Sequence, residues 1–168
     1  MNRRILALVV LLIVVTCIGS AQSKEMLVGT WKLVSWSGVT EKGVVNDEAY
    51  GRNPTGFLTY TSDGRMIAVL TNGGRKALSN SRWNLAPPEE RAEAFATSFA
   101  YAGTFTLKGD KVIHHVEACT FPNAVNTDFV RIITKLQSSG VTLRTTTPFL
   151  GRDGVQYAYS ELVWERVK

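Results

Sequence analysis

Short segments rich in β-branched and aromatic residues, separated by tight turns, run through the chain from residue 26 to its end. Three of the turns are Ser62-Asp63-Gly64, Lys108-Gly109-Asp110 and Ser138-Ser139-Gly140. Turn residues between two alternating segments are typical of β-hairpins. The pattern predicts eight strands, at about 26–36, 56–61, 65–71, 101–107, 111–119, 127–136, 141–147 and 157–167. Strands joined in this way are antiparallel neighbours, which favours an all-β sandwich or a closed up-and-down barrel.

One segment between the third and fourth strands departs from this two-residue period. Pro87 and Pro88 suit the first turn of a helix, and the acidic residues that follow favour its N-terminus. Apolar residues then recur at positions i, i+3, i+4 and i+7, namely Ala92, Phe95, Ala96 and Phe99. The segment therefore predicts one α-helix, at about 87–100, whose apolar stripe covers part of the sheet.

Length and charge restrict the class of protein further. The 168 residues fit one domain. Lys and Arg number 19 against 14 Asp and Glu, but Arg3 and Arg4 precede an apolar run, so the balance from residue 22 onward is 17 against 14. So small an excess is not typical of a nucleic-acid groove. We therefore predict no nucleic-acid partner.

The first 21 residues resemble a targeting segment and not part of the fold. Two arginines are followed by an unbroken apolar run at 5–15, and small residues precede a cleavage position after Ala21. We expect 1–21 to be a signal peptide, 22–168 to be the domain, and the protein to be exported to the periplasm or outside the cell. An uncleaved signal anchor is the alternative. Cys17 also leaves a lipid anchor open, because its surroundings loosely resemble a bacterial lipoprotein box.

Both ends of the predicted domain carry a signature. Gly29-Thr30-Trp31 lies on the first strand, and Leu-Val-Trp-Glu-Arg at 162–166 ends the last strand. Further matching stretches are 27–33, 50–56 with 60–66, 101–104, and 114–117 with Pro122-Asn123. In these stretches the chain resembles the bacterial and fungal lipocalin-like domain family, whose members are calycin-type barrels. The resemblance implies an eight-stranded antiparallel barrel closed by Arg166 over Trp31. It also implies a small apolar ligand, but no particular reaction.

Strand alternation predicts which side chains face the lumen of such a barrel. His114 shares a face with apolar neighbours, so we expect it inside, where it would contact a ligand, transfer a proton or simply hold the sheet. Arg131 is expected on the outer face, because charged side chains are usually solvated. The expected ligand-binding residues are His114, Ser35, Tyr60, Phe105, Ile132, Leu143 and Trp164. On the second strand, alternation alone does not decide between Leu58 with Tyr60 and Phe57 with Thr59.

Three functions remain open after these steps. The leading hypothesis is a binding module for a small apolar molecule. The alternatives are a cyclase or isomerase in which His114 moves a proton, and a filled barrel that docks to a partner through the helix or Trp83. No metal site or cofactor is predicted, because His114 and His115 point to opposite faces and no nucleotide-binding motif is present. The sequence leaves the ligand and the oligomeric state open.

Overall fold

Eight long strands follow one another around a closed barrel in this computed structural model, which describes residues 24–168. In chain order the strands are β1 (Gly29–Val39), β2 (Val45–Asn46), β3 (Thr55–Tyr60), β4 (Arg65–Thr71), β5 (Ser98–Lys108), β6 (Lys111–Cys119), β7 (Asp128–Leu136), β8 (Gly140–Thr145), β9 (Phe149–Leu150), β10 (Gln156–Tyr157) and β11 (Tyr159–Arg166). Each long strand pairs antiparallel with the next, and β11 returns to pair with β1. The predicted eight-stranded up-and-down barrel is therefore confirmed. The short strand β2 extends the sheet beside β1, and β9 and β10 form a separate hairpin.

The expected signal peptide at 1–21 and Cys17 lie outside the residues that the structure describes. The described part begins with one helical turn at 24–27, which brings Leu27 into the core, where it is fully buried. Within 24–168, no helix combines the length and the apolar composition needed to cross a membrane.

The helix between β4 and β5 is shorter than predicted. This helix, α1, is Pro88–Ala96, and Thr97 ends it by hydrogen-bonding a carbonyl of its last turn. Phe99 belongs to β5 and packs against the core, whereas Phe95 is 54% exposed and no residue of α1 is buried. The predicted apolar stripe is therefore wrong. Because the strand begins at Ser98, Phe99 is directed by the sheet and not by the helix.

The two ends of the barrel differ in the length of their connections. At one end, here called the base, the strands are joined by short turns at 61–64, 109–110 and 137–139. At the other end, here called the mouth, the connections span 40–54, 72–97, 120–127 and 146–158. These longer connections contain α1, β2 and the β9–β10 hairpin. The segments long enough to fold over the end of the barrel are therefore all at the mouth.

Trp31 and Arg166 close the base. The Arg166 guanidinium carbon lies 4.1 Å from the centroid of the Trp31 ring. The guanidinium also donates to three backbone carbonyls, those of Met26, Val28 and Ser138. Trp31 is fully buried, and its Nε1–H donates to the Leu27 carbonyl at 2.8 Å. The first and last strands are thus joined by side-chain contacts as well as by their ladder of backbone hydrogen bonds.

Gly29 makes this close approach possible. Its φ of +136° lies in a region that residues with a side chain rarely adopt. A Cβ at this position would also collide with the guanidinium of Arg166. The glycine of the Gly-x-Trp signature is thus explained by its backbone conformation and by the nearness of Arg166.

The half of the barrel nearer the base is filled by its own side chains. Six of the side chains that fill it are each no more than 3% exposed: Leu27, Trp31, Tyr60, Met66, Phe105 and Val112. The rings of Tyr60 and Phe105 have centroids 4.6 Å apart. Leu58 and Tyr60 therefore face inward on β3, while Phe57 is 52% exposed, which settles the alternation that the sequence left undecided.

Candidate functional site

A cavity of about 400 Å³ occupies the half of the barrel nearer the mouth. Its walls are mostly apolar and come from many strands, with Trp36, Leu70, Phe99, Phe129, Leu143 and Trp164 among them. Pockets for small molecules range over roughly 300–1,000 Å³ and combine apolar walls with a few polar groups. The polar groups here include the side chains of Tyr101, His114 and Arg131. The cavity therefore has the size and the composition of a small-molecule site.

His114 lies between two tyrosines in this cavity. Its Nε2 is 2.7 Å from the Tyr60 hydroxyl, and its Nδ1 is 2.9 Å from the Tyr101 hydroxyl. The ring is 1% exposed. Burial, helped by the positive charge of Arg131, holds the pKa of His114 well below its usual value. The imidazole is therefore neutral at pH 7, so that one nitrogen donates a hydrogen bond and the other accepts one.

The surroundings of Tyr60 decide which nitrogen of His114 carries the proton. Among the described residues, the buried Tyr60 hydroxyl has His114 Nε2 as its one hydrogen-bond partner. A buried O–H that fails to donate costs about 1–3 kcal/mol, so we assign Tyr60 as the donor to Nε2. Neutral His114 then carries its proton on Nδ1 and donates it to the Tyr101 oxygen. The hydroxyl hydrogen of Tyr101 consequently remains free for an acceptor in the cavity.

Arg131 brings a positive charge to the same cavity. Burial raises the pKa of both Tyr60 and Tyr101, and the nearby guanidinium opposes part of that rise. The guanidinium donates to the backbone carbonyl of Val130 at 3.1 Å, and its carbon lies 5.1 Å from the centroid of the Phe129 ring. Within 24–168, no carboxylate forms an ion pair with Arg131, and no Asp or Glu lines the cavity. The cavity is therefore electropositive.

Two tryptophans of the cavity wall have indole N–H groups without a partner among the described residues. Trp36 and Trp164 both line it, and their Nε1 atoms are buried with no acceptor from residues 24–168 within hydrogen-bond distance. Buried N–H groups are normally paired, so these two are exceptions. Both nitrogens are buried within the wall, out of reach of a molecule in the cavity, so the donors that concern a ligand are the Arg131 guanidinium and the Tyr101 hydroxyl.

Aromatic rings stack at the mouth. Trp36 stacks on Tyr50 with ring centroids 3.5 Å apart, Tyr50 on Phe149 at 4.9 Å, and Phe149 on Tyr157 at 5.0 Å. Burial raises the pKa of Tyr50, so its phenol is neutral. The stack joins the 40–54 loop to the β9–β10 hairpin. Two of the long connections are thereby held together beside the cavity.

A second recess, of about 680 Å³, lies outside the barrel between α1 and neighbouring loops. Charged side chains line it, including Arg75, Glu89, Glu93 and Arg152, and Arg152 pairs with Glu93 at 2.8 Å. In the described part of the chain, no three His, Cys, Asp or Glu side chains are grouped so as to hold a metal ion. The barrel cavity, with its buried polar groups, is therefore the better candidate site.

Five of the predicted ligand-binding residues lie inside the barrel. His114, Leu143 and Trp164 line the cavity. Tyr60 and Phe105 are buried in the filled half, and Tyr60 is linked to the cavity through its hydrogen bond to His114. Their roles as ligand contacts remain predictions.

The expectation that Ser35 faces the lumen is corrected by a bulge in β1. Leu33 pairs with Trp164 of β11, whereas Ser35 pairs with the adjacent residue Val163. The extra residue in β1 reverses the alternation beyond it, so Trp36 enters the cavity in place of Ser35. The sequence did not predict Trp36 as a cavity residue, because the alternation of apolar and polar residues in this segment does not reveal the bulge.

The expectation that Ile132 faces the lumen is corrected by the pairing of β7 with β6. His114 pairs with Phe129, and Val112 with Arg131. Directly paired residues of antiparallel strands point to the same face, so Phe129 and Arg131 are inside and Ile132 is outside. Arg131 is the main polar residue that sequence reasoning missed. By alternation Arg131 shares its face with Lys135, so the sequence favoured the face of Val130 and Ile132 for the lumen, and only the register against His114 shows the opposite.

A closed up-and-down barrel of eight strands, packed at its base and hollow at its mouth, has the architecture of the lipocalin-like class. The family model described as the lipocalin-like domain matches residues 28–167. The chain therefore belongs to the lipocalin-like domain family, which confirms the resemblance seen in its sequence.

Similar solved structures include a lipocalin-like protein from Bacteroides uniformis ATCC 8492, at 13% identity over 84% of this chain and 99% of that chain, with a TM-score of 0.43. An uncharacterized protein from Bacteroides eggerthii DSM 20697 is 12% identical over 84% of this chain and 99% of its own, with a TM-score of 0.42. A redesigned β-barrel is 14% identical over 87% of this chain and 96% of its own, with a TM-score of 0.41. Comparison with curated proteins finds no match. These similarities are too distant to bear on the ligand.

Proposed function

We propose that this protein binds a small, largely apolar molecule inside its barrel. The observation that carries the proposal is the cavity of about 400 Å³, whose walls are mainly aromatic and aliphatic. Transfer of apolar ligand surface from water to such walls contributes about 25 cal/mol per Å². A cavity of this kind supports binding over the alternative of a barrel filled by its own side chains.

The state of His114 also supports binding over catalysis. Both of its ring nitrogens are already hydrogen-bonded to tyrosine hydroxyls, and its pKa is depressed by burial. A general acid or base must reach the proton that it transfers, directly or through one water molecule. His114 has no nitrogen left for a ligand, and this favours a structural role in holding Tyr101 at the cavity.

Titration with a neutral, environment-sensitive dye tests the proposal. N-phenyl-1-naphthylamine is expected to gain fluorescence on saturable binding to the wild-type chain. Ala68→Phe introduces a large side chain where a 1% exposed residue lines the cavity, so this variant is expected to lose dye binding. Ala118→Phe is the matched control, because Ala118 is exposed on β6 and the same change there leaves the cavity intact.

Two results would contradict binding in the barrel. One is the absence of saturable dye uptake by the folded wild-type chain. The other is equal loss of binding in Ala68→Phe and Ala118→Phe when both variants melt cooperatively. Either result would favour the partner-docking alternative.

We also propose that the protein works after export, in the periplasm or outside the cell. The support is the sequence of residues 1–21, with its basic start, apolar run and small residues before the cleavage position. Mass spectrometry of the chain purified from its own cell envelope tests this proposal. The expected mass is that of a chain that begins after Ala21. A lipid-modified Cys17 would indicate an anchored form. An unprocessed chain in the cytoplasm would contradict export.

A further inference from the structure

The polar groups of the barrel cavity indicate the chemistry of one end of the ligand. We infer that the ligand carries a carboxylate, which pairs with Arg131 and accepts a hydrogen bond from Tyr101. This inference rests on the proposed function, because it concerns the same cavity.

The charge of Arg131 favours an anionic group on the ligand. Arg131 places a guanidinium at a cavity whose lining, among the described residues, contains no acidic side chain. A charge withdrawn from water is costly unless an opposite charge compensates it. Entry of a neutral apolar molecule would remove water from the guanidinium without compensation. Entry of an anion would provide the compensating charge.

The hydrogen-bond donors of the cavity favour a ligand group that accepts. The assigned proton on Nδ1 of His114 leaves the Tyr101 hydroxyl hydrogen available. The Tyr101 hydroxyl and the Arg131 guanidinium both donate, so the ligand group that complements this pair is one that only accepts. An ionised carboxylate meets this condition, and its two oxygens match the planar fork of a guanidinium.

The remaining surface of the cavity favours an apolar body for the ligand. Beyond this pair the wall is mainly aromatic and aliphatic, with Phe99, Phe129 and Leu143 as examples, and its remaining polar residues are uncharged. A small inorganic anion would leave this surface uncovered, and a cationic amphiphile would be repelled by Arg131. An apolar chain or ring system that ends in a carboxylate is complementary to both parts of the cavity.

Displacement of N-phenyl-1-naphthylamine by three ligands with the same chain tests the head group. Decanoate, decanol and decylamine are compared below their aggregation concentrations at pH 7.5. A hydrogen bond between charged groups contributes more binding free energy than one to a neutral hydroxyl. Decanoate is therefore expected to bind about ten- to a hundredfold more tightly than decanol. Decylamine is expected to bind most weakly of the three.

Two variants test whether Arg131 causes the preference for decanoate. Arg131→Gln keeps a polar side chain in the cavity but removes the charge, so the preference for decanoate over decanol is expected to fall to within about twofold while the neutral dye still binds. Arg144→Gln is the matched control. Arg144 pairs with Ile132 on the outer face and lies over Tyr159, so this variant is expected to keep the preference.

The outcomes separate the two proposals. If the wild-type chain binds neither the dye nor decanol, both the proposed function and this inference are overturned. If the dye binds but decanoate and decanol compete equally, or if Arg131→Gln keeps the preference, the carboxylate inference alone is overturned. A preference that is present in the wild type and in Arg144→Gln, and lost in Arg131→Gln, supports it.

Discussion

The base and the mouth of this barrel are built from the same eight strands but differ in what fills them. At the base, short turns join the strands, and Trp31 and Tyr60 are each no more than 1% exposed. At the mouth, long connections surround a cavity of about 400 Å³ whose wall includes Arg131 and Tyr101. The base is therefore expected to contribute mainly to stability, and the mouth to the proposed binding.

This difference has a physical reason. A packed interior gains from both apolar burial and close contact, so removal of its atoms leaves a void that the surroundings refill only in part. Side chains at a cavity already lack neighbours on one side, so their truncation removes fewer contacts. Equivalent substitutions at the two ends are therefore expected to differ in their cost.

Two tryptophans provide the largest expected contrast. Trp31→Ala is expected to lower the free energy of unfolding by about 3–5 kcal/mol, since it empties a fully packed site. Trp36→Ala, at the cavity wall, is expected to cost about 1–2 kcal/mol. Urea denaturation followed by circular dichroism measures both. Equal losses in the two variants would refute the contrast between the ends.

Two arginines provide a smaller contrast. Arg166→Ala removes three hydrogen bonds to backbone carbonyls and the contact with Trp31, and is expected to cost about 2–3 kcal/mol. Arg152→Ala breaks an exposed ion pair with Glu93 near the mouth and is expected to cost less than about 1 kcal/mol. Thermal and urea midpoints of the two variants test the order. A larger loss at Arg152 would show that the loops of the mouth stabilise the barrel more than its closure does.

The smallest expected effect concerns pH at the boundary between the two regions. The folded-state pKa of His114 is depressed, chiefly by burial, so below about pH 6.5 the unfolded chain takes up a proton that the folded chain does not. The free energy of unfolding is therefore expected to fall as pH decreases from about 6.5 to 5, by at most about 1.4 kcal/mol per pH unit from this residue, and to lose this dependence above that window. The groups that face His114 are Tyr60, Tyr101 and Arg131, and burial raises the pKa of the two tyrosines further above this window.

Urea midpoints measured across this pH range test the prediction. His114→Gln keeps a donor and an acceptor but does not titrate, so its slope is expected to be flatter than that of the wild type. His115→Gln is the control on the outer face, and it is expected to keep the steeper dependence on pH. A slope unchanged in His114→Gln would show that the buried imidazole does not control the acid response.

The sequence predicted the barrel well and the site only in part. Turns such as Ser62-Asp63-Gly64 are local signals, so the strands that they join are found close to their predicted bounds. The predicted helix extended too far, because the apolar spacing of Phe95 and Phe99 suits a helix even though pairing with β4 places Phe99 in a strand. Ser35 and Ile132 were assigned to the lumen by alternation within one strand, which carries no information about a bulge or a register.

Residues 28–167 by themselves determined the family, the order of strands and the closing pair Trp31 and Arg166, because these depend on local turn chemistry and on a signature at each end. Tertiary structure alone decided that Arg131 enters the cavity and that Trp36 replaces Ser35 there. Both placements depend on how one strand is aligned with its neighbour, and a shift of a single residue moves every following side chain to the opposite face. The polar character of the cavity is therefore a property of strand pairing and not of any one segment of the sequence.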